Sequence, residues 1–493
     1  MAENKANPEM RLAAQKAKPP EQFSPTLSLF DTSMVVAGSM IGSGIFIVSA
    51  DIARRVHSPA ALLAVWLVSG VMTVMGALAY GELASMMPQA GGQYVYLRQA
   101  YGSLCAFLYG WTLFLVIQSG TIAAVAVAFA RFCAVFWRAL DSPWLTVGSF
   151  AVSGQKLLAM AVIFILTAAN LRGIDIGRGV QNVFTGAKIL SLLFIIVTAL
   201  LVKPNPSAIA ANFSVRGFFG TGTLSLSLLP AFGAAMVGSL FSADAWAAAT
   251  FAAAEIRAPV RDLPRALVLG TGLVITLYLL TNVAYLAELP AVGSPNASTL
   301  VGRGIAYANE DRVATAAMAV VWGPVGVTAA ALMVMISTFG CANGLILTGA
   351  RAVYAMAKDG LFLAPAARLN RAGVPGWALV MQAVWCALLA ISGSYSDLLD
   401  YVIFAELLFY VLTVGAVFVL RLRSPQLPRP YRTPGYPYLP GCYIAAALLL
   451  MVDLLVVKPR FTWPGLLIVL SGVPVYWFYS RRRRLSLSPE ATN

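Results

Sequence analysis

The chain has 493 residues, 59% of them hydrophobic and only 11% charged, where an ordinary soluble domain carries about 25% charged residues. With a mean hydropathy of +0.78, this composition excludes a soluble globule. Lysine and arginine total 34 against 20 acidic groups, a net charge of +14, but the excess sits in short loops between apolar runs, which marks membrane orientation rather than nucleic-acid binding.

Residues 1–22 hold no apolar h-region and no small-residue cleavage site, and residues 1–26 read as a soluble tail. Apolar runs then predict twelve transmembrane helices at 27–50, 60–87, 101–136, 157–171, 180–201, 226–252, 266–286, 325–356, 378–391, 398–420, 439–457 and 462–479. Each is measured against the ~20 residues that cross a bilayer. A second tail follows at 481–493. An even number of spans puts both termini on one side. With the N-terminus cytoplasmic, inner segments carry about 22 basic residues and outer ones about 10, as positive-inside sorting requires. The inner clusters are Arg257, Arg261 and Arg265; Arg351, Lys358, Arg368 and Arg371; Arg421, Arg423, Arg429 and Arg432; and Arg481 to Arg484. They also suit anionic lipid headgroups. The expected setting is a plasma or inner membrane, with both termini in the cytoplasm.

Two spans are interrupted. In the first, Gly38-Ser39-Met40-Ile41-Gly42-Ser43-Gly44-Ile45-Phe46 places three glycines and two serines near mid-span, and each glycine costs a helix about 1 kcal/mol relative to alanine. In the sixth, Phe241-Ser242-Ala243-Asp244-Ala245-Trp246 puts a carboxylate at similar depth, where charge is costly and marks function. The two interruptions stand five spans apart. That spacing fits two inverted five-helix halves, 27–201 and 202–421, followed by two further helices at 422–480. Paired discontinuous helices of this kind point to a secondary-transporter site at the membrane midplane. Glycines also permit close helix packing, the alternative reading of the first span.

At this point the chain resembles the amino acid–polyamine–organocation permeases, and within them the L-amino-acid transporter-like family with the LeuT-type 5+5 fold. Four stretches carry the resemblance. The first is Ile41-Gly42-Ser43-Gly44-Ile45-Phe46. The second runs from Tyr80-Gly81-Glu82-Leu83 through Pro88-Gln89-Ala90-Gly91-Gly92-Gln93-Tyr94 to Tyr101-Gly102. The third is Glu255-Ile256-Arg257-Ala258-Pro259-Val260-Arg261-Asp262-Leu263-Pro264-Arg265-Ala266, and the fourth is Arg429-Pro430-Tyr431-Arg432-Thr433-Pro434-Gly435-Tyr436-Pro437. The likeness covers about residues 27–479. It implies an amino acid substrate carried by alternating access, and no cofactor.

A helix broken at midplane offers amides to a substrate carboxylate and carbonyls to its ammonium. By resemblance, the Ser43 hydroxyl and the amides of Ser43, Gly44 and Ile45 would hold the carboxylate. The unwound carbonyls of Met40 and Ile41, beside Gly42, with those of Phe241 and Asp244, would hold the ammonium. Phe241, next to Ser242, matches the aromatic that caps the substrate. Trp246 matches a tryptophan of the family, with Ala245 replacing the usual glycine before it and Ala243 replacing a larger residue. Asp244 has three open roles: to attract a substrate ammonium, to carry a proton, or to bond the loose backbone of its own break.

Lys188 lies about eight residues, roughly 12 Å, into the fifth span, too deep to snorkel freely. In the family a lysine here resembles a built-in cation, standing where sodium-coupled relatives bind an ion. It is expected to bond the broken first helix and polar groups around Ser337 and Thr338, giving sodium-independent transport. Gln118, Ser119 and Thr121 in the third span line a pocket or bond between helices. Asn343 marks a polar turn of the eighth, and Glu406 is a second intramembrane carboxylate and a proton-site candidate. Glu82 and Glu255, at inner helix ends beside Arg98, Arg257 and Arg261, read as inner-gate salt bridges or as topology. Obligatory exchange and proton symport both remain open.

Cationic amino acids or polyamines are the alternative cargo. A membrane enzyme is disfavoured because the sole histidine is His57, in an outer loop, and no clustered carboxylates or nucleophile motif appear. A channel would need a filter motif or charge ring. The five scattered cysteines show no disulfide framework or metal-ligand spacing. The loop at 137–156 contains none, whereas some animal relatives bind a glycoprotein through a cysteine there. No disulfide-linked heavy chain, metal or nucleic acid is expected as a partner.

Overall fold

The computed structural model describes residues 25–89, 91–147, 150–172, 177–220, 229–370, 372–393 and 395–487. Residues 1–24 of the first expected tail and 488–493 of the second lie outside them. Ser28 caps the first helix, α1 (Leu29–Met40), through reciprocal bonds with Asp31. The helix stops at the glycine run: Ile41, Gly42 and Ser43 lie outside it, and the chain resumes as α2 (Gly44–Ile47) and α3 (Ser49–Val56). His57 ends α3 in a left-handed conformation, and Ser58 with Pro59 starts α4 (Pro59–Met86).

Helix α5 (Gln93–Tyr101) lies between Gly92 and Gly102, both at positive φ. It is therefore separate from α6 (Ser103–Thr112), which passes through a π turn at Leu113–Ile117 into α7 (Gln118–Cys133). The all-helical expectation needs one correction. β1 (Pro143–Val147) and β2 (Phe150–Ser153) form an antiparallel hairpin, because runs rich in aromatic and β-branched residues, too short to span, favour strands. Next come α8 (Gly154–Leu171), α9 (Gly177–Val197) with a π turn at Thr198–Val202, α10 (Pro206–Phe213) and α11 (Val215–Phe219).

Helix α12 (Leu229–Ser242) ends at the second interruption, where residues 243–247 are non-helical, and α13 (Ala248–Phe251) follows. Ala245 sits there at φ 64°, a conformation that a residue with a Cβ adopts only under constraint. After α14 (Pro259–Glu288) and α15 (Leu300–Arg303), α16 runs from Val313 to Lys358. It begins twelve residues before the predicted span and is bent at Gly323 (φ 59°), just before Pro324, so its first ten residues form a separate rod. Then come α17 (Gly376–Ser392), α18 (Tyr395–Arg423), α19 (Tyr438–Val457) and α20 (Pro459–Leu487).

Among the described residues nine helices are long and apolar enough to cross a membrane, and α1, α12 and α17 are shorter apolar helices. Two of these short ones, α1 and α12, are the rods that end at interruptions. α14 packs along both α4 and α1, and α16 along α7 and α9. The interruptions are thereby enclosed by α9, α14, α16 and α18.

Candidate functional site

A helix end leaves its last carbonyls without i+4 donors. Where α1 stops, other helices supply them. Lys188 of α9 donates from Nζ to the Gly38 carbonyl at 2.7 Å. The Tyr278 hydroxyl of α14 lies 2.9 Å from the Met40 carbonyl and 3.1 Å from that of Ser242. Ser337 Oγ of α16 lies 3.3 Å from the Ile41 carbonyl and 3.2 Å from that of Gly42, and the Cys341 thiol faces the Ser39 carbonyl. One phenol therefore joins the ends of α1 and α12. The two interruptions also touch: a Cβ on Gly44 would overlap the Ser242 side chain and lie 2.9 Å from its Cα. Ile45, just beyond, is fully buried.

At the second interruption, Asp244 Oδ1 accepts a 2.6 Å bond from Tyr410 of α18. Trp246 stacks on Tyr410 with ring centres 5.3 Å apart and meets Tyr80 edge-on at 4.7 Å. Glu406, one turn before Tyr410, lines a cavity with Ala243, Asp244, Trp246 and Tyr443, and its Oε2 has no hydrogen-bond partner among the described residues. Two buried carboxylates facing one aromatic-walled cavity attract a cation or a proton. A neighbouring cavity also reaches Asp244 and is lined by Gln93, Gln118, Thr121 and Thr348. There Gln118 donates to the Leu345 carbonyl at 2.7 Å.

Toward the hairpin end, Ser43 Oγ and the Tyr395 hydroxyl share a 3.0 Å hydrogen bond, and Phe241 meets the Tyr395 ring edge-on at 6.2 Å. At the opposite end, the amides of Thr26 and Leu27 both approach the Glu255 carbonyl, at 2.8 and 2.9 Å, and the Arg257 amide bonds the Leu27 carbonyl at 3.0 Å. These bonds tie the start of α1 to the chain just after α13. The acidic residues there do not pair with the basic neighbours their sequence positions suggest. Glu255 pairs with Arg351 at 2.7 Å. Glu82 accepts from Nε and one terminal nitrogen of Arg421 at 2.8 and 2.6 Å and from the Thr433 amide at 2.8 Å. Arg98 pairs with Asp359 at 2.8 Å. Each of these partners follows its acid or base by many residues, out of reach of a reading by nearest charge.

Met40, Ile41, Gly42, Ser43, Gly44, Ile45, Phe241, Ser242, Asp244 and Trp246 thus gather around the two interruptions. Lys188 and Ser337 serve the same α1 end without bonding one another. Thr338 differs from expectation: its hydroxyl turns back to the Val334 carbonyl of its own helix at 2.8 Å. Ser242, Ser119 and Thr121 also bond their own helices, and Asn343 accepts from Asn170 at 2.9 Å. Tyr278, Tyr395 and Tyr410 escape the sequence reading, since a phenol in an apolar run resembles core and Tyr395 falls in the polar stretch between two predicted spans. Tyr410 alone carried a signal, standing four residues after Glu406 and so on the same helix face.

The family model described as amino acid permease matches residues 27–479. The chain is 30% identical over 448 residues to the b(0,+)-type amino acid transporter 1 of Mus musculus, covering 90% of this chain and 86% of that one. It is 29% identical to the Homo sapiens protein of the same name, covering 92% and 87%. It is also 30% identical over 463 residues to the large neutral amino acids transporter small subunit 2 of Homo sapiens, covering 92% and 79%. These are transporters rather than enzymes, and the apolar helices fit a multi-pass membrane protein. The paired interruptions therefore belong to a transport protein, and the chain is a member of the amino acid permease family.

Proposed function

We propose that this permease is a twelve-helix carrier of the LeuT-type 5+5 design that moves amino acids by alternating access without sodium. Its halves are 27–201 and 202–421, both tails are cytoplasmic, and the hairpin faces outward across the plasma membrane. The substrate carboxylate binds the amides of Ser43, Gly44 and Ile45. The ammonium binds the carbonyls of Met40, Ile41, Phe241 and Asp244. Tyr278 and Ser337 use one lone pair of the Met40 and Ile41 carbonyls and leave the second, so they orient these acceptors for the substrate. Phe241 and Tyr395 close the outer path, and the Glu255–Arg351 and Arg98–Asp359 pairs close the inner one. The lack of a cysteine at 137–156 supports a carrier without a disulfide-linked heavy chain.

The observation that carries this reading is the ammonium of Lys188 on the Gly38 carbonyl. It supplies at the end of α1 the positive charge that a bound sodium ion would otherwise bring. Uptake of labelled amino acids into proteoliposomes tests it: equal rates in sodium and choline media are expected, and strong sodium stimulation would remove the reading. Internal substrate should accelerate uptake, as in a carrier.

A second reading concerns cargo. The relative named for large neutral amino acids supports an apolar substrate, whereas Asp244 and Glu406 facing one cavity favour a cationic amino acid or a polyamine. Competition by arginine and by leucine against one labelled substrate separates the two.

A further inference from the structure

Two buried acids, Asp244 and Glu406, meet at one phenol. The Tyr410 hydroxyl gives its one hydrogen to Asp244 Oδ1 at 2.6 Å, and the Ala245 amide bonds the same carboxylate. The phenol also lies within hydrogen-bond reach of Glu406. With its hydrogen committed to Asp244 the phenol oxygen can only accept, so Glu406 bonds it only as the protonated acid. Cavities lie on both sides of the pair. Helices α4, α12, α18 and α19 enclose one, lined in part by Met72, Thr73, Leu240 and Tyr443, and the other runs past Gln118, Thr121 and Thr348 to Gln93 at the start of α5. The titratable groups that face the two acids are phenols: Tyr80 of α4, Tyr109 of α6, Tyr410 of α18 and Tyr443 of α19. Among the described residues no lysine, arginine or histidine lines either cavity.

We propose that this pair always encloses one exchangeable positive charge: a proton that stays on Glu406 while neutral amino acids cross, and that gives way to the side-chain cation when the cargo is cationic. The consequence is exchange of a cationic amino acid for a proton. The inference rests on the carrier reading above. Two carboxylates on one phenol, out of water and with no base beside them, do not both ionise, so the carrier cannot close over them bare. Asp244, which has two donors, holds its charge, and Glu406 holds the proton. A guanidinium or ammonium arriving from outside pairs with both acids, and Glu406 gives its proton to the outer water. After the cargo leaves inside, Glu406 takes a proton from the inner water, and the return step carries it out. The enclosed charge is then the same on both legs and for both kinds of cargo.

The test uses proteoliposomes with a trapped pH dye, equal leucine on both sides and the membrane potential held at zero. Arginine entry should alkalinise the lumen by one proton for each arginine, and exchange of leucine for leucine should leave the dye unmoved. An inside-acid difference of about one pH unit should drive about tenfold accumulation of arginine and none of leucine. In Glu406→Gln the exchangeable proton has no seat, so arginine should enter with no proton leaving. Leucine counterflow in the same liposomes reports a folded carrier, and Glu406→Asp should restore the exchange. The proposal is overturned if arginine neither enters nor competes with leucine, if it enters wild-type protein without a proton leaving, if leucine moves protons, or if the proton exchange survives Glu406→Gln. The wild-type measurements decide it even where the glutamine variant fails to fold. Failure of the carrier reading looks different, since leucine counterflow would then be absent altogether.

Discussion

Lys188 Nζ lies 2.7 Å from the carbonyl oxygen of Gly38, 150 residues earlier in the chain. The lysine is fully enclosed, so its charge is held by the last turn of α1 at the edge of the interruption. A charge-assisted bond of this kind contributes about 1.5–3 kcal/mol, or roughly 10- to 150-fold in an equilibrium. Lys188→Ala should lower uptake at fixed substrate by that factor while the protein elutes as a single species from size exclusion. Near wild-type uptake would separate Lys188 from transport.

Close approach of the two interruptions depends on Gly44, whose missing Cβ leaves room for Ser242. Gly44→Ala should reduce uptake by about tenfold or more, because backbone cannot yield as a flexible side chain does. Adding Ser242→Gly should restore part of the rate. If the double variant is no better than the single one, the contact does not set the geometry of the site.

Asp244, Tyr410 and Glu406 form one buried polar group on the path between the ends. Removing one partner of a buried charged contact typically costs 2–5 kcal/mol, so Asp244→Asn should cut uptake of a cationic amino acid by about 30-fold or more and that of a neutral one far less. If the carboxylate must be ionised to hold a cation, wild-type uptake of that substrate falls as pH falls, and Asp244→Asn removes this dependence. Equal losses for both substrates, with an unaltered pH profile, would return Asp244 to a structural role.

Much of this arrangement could be read from residue order alone, and the rest depended on distance in the chain. The glycine run at 42–44 and the carboxylate at 244 marked both interruptions because backbone cost and charge cost are local properties. Lys188 was legible because an ammonium deep in an apolar run requires a partner, although Gly38 as that partner was not. The tyrosines 278, 395 and 410 were not legible, since only the fold reveals that their hydroxyls reach a helix end, a serine and a carboxylate. The pairing of Glu82 with Arg421 spans 339 residues, and nothing near Glu82 announces it.

That pair makes a prediction about stability. The Glu82 side chain is 1% exposed and that of Arg421 22%, and losing one partner of a buried pair costs about 3–5 kcal/mol. Glu82→Gln should therefore lower the melting temperature in detergent clearly more than Arg98→Gln, which breaks the more exposed pair with Asp359. Equal shifts would make the Glu82 contact no more than a surface ion pair.

The most direct measurement is the density of a bound amino acid in protein held in lipid nanodiscs. The account predicts its carboxylate within hydrogen-bond distance of the Ser43, Gly44 and Ile45 amides, with its ammonium facing the carbonyls of Met40, Ile41, Phe241 and Asp244. Continuous helices at 41–43 and 243–247, or a substrate seated away from both, would contradict it.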